Sequence, residues 1–83
     1  MGKHERTLQA MLRHPKPANL RWADVESLLV HYGAEIRARK GSAIVVSLGG
    51  QKAYFHRPHP DDKADRGAIE NALELLRRAG YVR

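Results

Sequence analysis

Apolar residues recur along this chain in two periods, and the places where the period changes predict its elements. In ERTLQAMLR, residues 5–13, Leu8, Met11 and Leu12 fall at i, i+3 and i+4. That spacing puts them on one stripe and predicts a short helix. HPKPAN follows; its two prolines cannot continue a helix, and each pushes its predecessor extended. It reads as a rigid linker, not a domain boundary, because too little chain precedes it to fold alone. In WADVESLLVHY, residues 22–32, Val25, Leu28, Leu29 and Tyr32 repeat the helical spacing, and Trp22 extends the stripe by a turn. Asp24 and Glu26 lie in the first turn, where the helix dipole favours anions. Gly33 stands where a left-handed residue closes a helix.

The period then drops to two. Ala34, Ile36 and Ala38 alternate with Glu35, Arg37 and Arg39, which is strand spacing. Lys40, Gly41 and Ser42 read as a turn. AIVVSL is short and rich in β-branched residues, Gly49 and Gly50 form a two-residue hairpin signal, and QKAYFHR supplies a third strand that PHPDD breaks. From residue 65 the helical period returns, with Ile69, Ala72, Leu73, Leu76 and Ala79 on one stripe, Asp65 as N-cap and Gly80 as the closing residue. The predicted class is α+β: a three-stranded antiparallel meander with both main helices on one face, in the order αβββα, preceded by a short N-terminal helix. Residues 1–21 are then an extension and residues 22–83 the domain proper.

Composition narrows the function classes. The chain has 83 residues, enough for one domain with a modest core and little room for an enclosed substrate cavity. Without cysteine it has no disulfide frame and no thiolate metal site. No apolar run approaches a membrane span, and MGKHERTLQAML lacks the apolar segment of a secretory leader. Arg6 stands where N-myristoylation requires Ser or Thr. A cytoplasmic protein is expected.

The net charge is +6, and its distribution says more than its size. Residues 37–60 carry five Lys or Arg and two His but no acid; all nine Asp and Glu lie outside that stretch. A one-sided sheet exposes alternate side chains. The solvent set is therefore Arg37 and Arg39 from the first strand and Lys52, Tyr54 and His56 from the third, provided that Phe55 and Ala53 face the core. In the opposite phase Phe55 takes the outer position. A basic face with an aromatic suits a phosphate backbone and a stacked base. Arg37, Arg39, Lys40, Lys52, Tyr54, His56, Arg57 and His59 are the candidate nucleic-acid contacts. The blander reading of the charge is ordinary solubility, and of the two histidines, surface residues in a proline-rich turn.

Histidine can exchange protons near neutral pH, so His56 and His59 are candidates either for an acid–base pair or for hydrogen bonds to phosphate. They are close in sequence to Asp61 and Asp62, but Pro58 and Pro60 hold the chain extended and no helical pair aims two imidazoles at one point. No metal and no other cofactor is expected. His4, His14 and His31 have no legible partners. Trp22 and Tyr32 continue a helix stripe and read as core, and Arg77 and Arg78 read as a solvated last turn.

From Trp22 to Tyr81 the sequence resembles the HicA toxin family, the small ribonuclease half of a bacterial toxin–antitoxin pair. VESLLVHYGAEI resembles the family's first helix and the start of its first strand, and RKGS its Lys-Gly-Ser turn. HRPHP resembles its Val-Pro-x-His region, and DRGAIENALELLRRAGY its closing helix. The resemblance implies an αβββα fold like a double-stranded RNA-binding domain, an mRNA-cleaving activity and a cognate HicB-like antitoxin. One departure bears on the reaction. Active members carry a histidine after the Gly-Ser of the turn, and here Ala43 follows Ser42. The closing helix departs too, with Ala68 where Gly-Thr is common. The competing expectations are an RNA-cleaving toxin, an RNA-binding domain without cleavage, and an interaction module whose basic hairpin docks an acidic antitoxin-like partner.

Overall fold

Each change of period coincides with a change of element in the computed structural model, which describes residues 2–58 and 62–83. The elements are α1 (Lys3–Met11), α2 (Trp22–His31), β1 (Glu35–Ala38), β2 (Ala43–Leu48), β3 (Gln51–His56) and α3 (Arg66–Arg78). The strands pair antiparallel in the order β1-β2-β3. At the hairpin tip Gly49 and Gly50 take φ of +57° and +80°, the doubly left-handed geometry of a type I′ turn, whose twist matches that of the strands. The tip fixes the register, pairing Leu48 with Gln51 and running back to Ala43 opposite His56.

One sheet face packs on the helices. Ile44, Val46, Ala53 and Phe55 meet Val25, Leu28 and Leu29 of α2 and Ile69, Leu73 and Leu76 of α3 in one buried cluster. Phe55 is 4% exposed and Tyr54 65%, so the third strand has the phase that turns Phe55 inward. Trp22 lies in the core beside Phe55, their rings 5.3 Å apart. The N-terminal extension is part of the same body: α1 packs on α2 and α3, and Met11 is wholly buried.

The starts of α2 and α3 are tied together. Trp22 N–H donates to Asp62 O at 2.8 Å, and Ala64 N–H to Leu20 O at 2.7 Å. Asp65 caps α3 by accepting from Ala68 N–H at 2.7 Å. Asp65→Ala is expected to cost about 1 kcal/mol in urea unfolding, with Asp65→Asn retaining most of the capping contribution. No helix among the described residues is long and apolar enough to cross a membrane.

Candidate nucleic-acid interface

Among the described residues no element lies on the face of the sheet away from the helices, and the register arranges its side chains in three cross-strand rows. Glu35, Ser47 and Lys52 form one row. Arg37, Val45 and Tyr54 form the next. Arg39 N–H donates to Ala43 O at 2.8 Å, which extends the ladder past β1 and lines Arg39 up with Ala43 and His56 in a third. The central strand contributes the small side chains, so the middle of the face is a floor and the outer strands are its walls. A shallow groove of about 350 Å³ lies over Val45 and Ser47, flanked by Glu35, Arg37, Arg39 and Lys52. Val45 is 7% exposed yet stands outside the core cluster, so its cover comes from neighbours on the open face. The aliphatic stem of Arg37 and the ring of Tyr54 are suited to that, with their polar ends left in water.

Arg37, Arg39, Lys52, Tyr54 and His56 are therefore brought to one face, and all five are exposed. Arg37 and Arg39 stand about 6.6 Å apart along the strand, the rise of two residues. Lys40 is exposed in the turn at the end of β1. Arg57 belongs elsewhere. It continues the inward phase of Ala53 and Phe55, and its guanidinium grips Glu26 of α2 through Nε at 2.8 Å and Nη2 at 3.1 Å. The hydrogen bonds that Arg57 donates to Glu26, and then the charge of that carboxylate, raise the Arg57 pKa above its already high ordinary value. Glu26 Oε2 also accepts from Trp22 Nε1. A second, wider groove of about 600 Å³ follows this pair on the helix side, between Trp22, Val30 and Pro58. His59 lies outside the described residues.

His56 and Ala43 are cross-strand partners. Arg57 N–H donates to Ser42 O at 2.9 Å, so the next pair, His56 with Ala43, is of the non-hydrogen-bonded kind, in which side chains approach most closely. The imidazole thus arises next to the position at which the resemblance expects a histidine. His56 also borders a small concavity at the start of α3, beside Gly67, Ala68 and Asn71.

Sequence reasoning left Ser47 and Val45 out of the face. The signal was available: a two-residue hairpin at Gly49 and Gly50 pairs Ser47 with Lys52 and Val45 with Tyr54 by counting. It also found no partners for His4 and His31, whose rings stack at 4.4 Å between α1 and α2. His31 meets Tyr32 edge-on, and Tyr32 packs against Tyr81 at 4.8 Å. Nothing in the spacing of two separate helices announces such a stack. Among the described residues no three His, Asp or Glu side chains gather to hold a metal ion.

Comparison with curated proteins and with solved structures finds no match. The family model described as "HicA toxin of bacterial toxin-antitoxin" matches residues 22–81, which takes in α2, the whole sheet and α3 and leaves α1 outside. That span is most of the chain, and the chain belongs to the HicA toxin family of bacterial toxin–antitoxin systems.

Proposed function

We propose that this toxin component acts on RNA in the cytoplasm, and that the open sheet face is where it holds the strand. The observation that carries the reading is the register, which collects Arg37, Arg39, Lys52, Tyr54 and His56 over a floor of small side chains. Successive phosphates of an extended strand would meet the two arginines and Lys52. An unpaired base would stack on the exposed Tyr54 ring.

Cleavage without a metal requires a base that takes the 2′-hydroxyl proton and an acid that protonates the departing 5′-oxygen. The 2′-oxygen attacks phosphorus, the bond to the 5′-oxygen breaks, and a 2′,3′-cyclic phosphate and a 5′-hydroxyl result. His56 is the imidazole on the face for one of these steps, next to the arginines that would stabilise the charged phosphorane. His59 is the candidate for the other. Ala43 favours a second reading, in which the face binds RNA and does not cut it.

One gel separates these. Purified protein is incubated with a labelled mixed-sequence RNA at low and high salt, with and without EDTA, beside His56→Ala and His59→Ala. Cleavage that survives EDTA and is lost in one variant establishes the ribonuclease and its histidine. Salt-sensitive binding without cleavage establishes the second reading. Absence of binding at low salt removes both.

A further inference from the structure

The two edges of the sheet are finished differently. In an antiparallel ladder alternate residues turn their N–H and C=O toward the neighbouring strand, and the residues between turn theirs to the other side. The bond from Arg57 N–H to Ser42 O assigns the odd residues of β3 to β2, which leaves Lys52, Tyr54 and His56 facing the outer edge. α3 lies along that edge, and two of its side chains bond to outward carbonyls. Asn71 Nδ2 donates to Tyr54 O at 2.9 Å, and Arg78 Nη2 reaches Lys52 O at 3.5 Å.

On the opposite side, the bond from Arg39 N–H to Ala43 O assigns Glu35, Arg37 and Arg39 to β2. Ile36 and Ala38 then present two N–H donors and two C=O acceptors outward. Among the described residues nothing bonds to them. The edge is flanked by Arg37, Arg39 and Lys40 on the open-face side and at its end, with Glu35 the single acid.

We propose that the β1 edge takes up an extended segment of a partner protein in which acidic and apolar residues alternate. A strand added there would place one set of side chains beside Arg37 and Arg39, where carboxylates are favourable. The other set would lie beside Ile36, which packs against the core, and the exposed Ala38, where apolar residues fit. Main-chain bonds give affinity to such an addition and the alternation gives specificity. For two copies meeting at their β1 edges, antiparallel pairing centred on Ala38 sets Arg37 against Arg39 and repels, whereas pairing centred on Ile36 sets Glu35 against Arg37, so a second copy is the competing occupant that the test must separate from an acidic segment. The inference needs only the edge and its charge and stands apart from the RNA reading. If both hold, the bound segment's carboxylates neutralise the arginines of the open face, and the segment and RNA compete.

The test uses the full chain, labelled for amide NMR, and two capped peptides: Glu-Val-Glu-Val-Glu-Val-Glu and its counterpart with lysine for glutamate. The glutamate peptide is expected to shift the Ile36 and Ala38 amides and to slow their hydrogen exchange, while the lysine peptide does neither. Ala38→Pro removes one edge donor at a position where an edge strand tolerates proline. It should weaken peptide binding about tenfold, as expected for a lost main-chain bond plus ring clash, and leave RNA binding unchanged. Should Ala38→Pro disturb the fold, Arg37→Glu combined with Arg39→Glu serves instead and should reverse the preference toward the lysine peptide. Equal response to both peptides, no response, or protection at β3 overturns the proposal. Sedimentation showing a dimer that Ala38→Pro abolishes would overturn it in favour of a second copy.

Discussion

Phe55→Ala is expected to cost about 3–5 kcal/mol, the usual penalty for emptying a buried aromatic site. A domain of this kind has only about 5–15 kcal/mol to lose, so the variant should give up a large share of its stability and unfold at a clearly lower urea concentration. Phe55 is 4% exposed and touches Trp22, the only tryptophan, so the loss can be followed by Trp22 fluorescence in urea. Its neighbour provides the control. Tyr54 is 65% exposed, and Tyr54→Ala should change stability by no more than about 0.5 kcal/mol. Equal costs for the two would mean that β3 is turned the other way and that the open face carries a different set of side chains.

Arg37→Ala combined with Arg39→Ala should flatten the salt dependence of RNA binding. Each phosphate contact on a single strand contributes about 0.7 to the slope of log K against log salt, so losing two lowers it by about 1.4. Arg57→Ala should leave the slope where it was, because that guanidinium is held by Glu26 on the helix side. The measurement is a fluorescence anisotropy titration over a range of salt concentrations. If Arg57→Ala lowers the slope as much as the two strand arginines do, the binding surface is on the helix side and the reading of the open face fails.

The architecture was legible because its signals are local. Leu28 and Leu29 after Val25 specify a helix face, Gly33 and Gly80 end helices with φ of +104° and +89°, and Gly49 with Gly50 sets the hairpin. A fixed hairpin and a period of two then determine which side chains share a face, and this is why Arg37, Lys52 and Tyr54 could be grouped before any coordinates. Arg57 shows where the method stops. Its neighbours in HRPH suggested one basic cluster, yet it follows Phe55 by two residues and shares its inward phase. Its partner Glu26 is 31 positions away, beyond the reach of any pattern. The same distance problem hides the His4–His31 stack and the two α3 side chains that finish the β3 edge. α1 read as an appendage for a related reason: a nine-residue helix has a clear stripe but no indication of what buries it, and in the fold Met11 is wholly enclosed.

The finishing of β3 by Asn71 and Arg78 has a consequence for how large any assembly can grow. A fibril propagates because each added strand offers the next one a fresh template, and the seed must offer a usable template on at least one side without limit. Here α3 side chains already take two of the carbonyls on one side, Tyr54 O and Lys52 O, and an added strand there would have to displace them. Growth of the sheet is therefore easier at one end than at the other, and assemblies that use the β1 edge are biased toward pairs over long stacks.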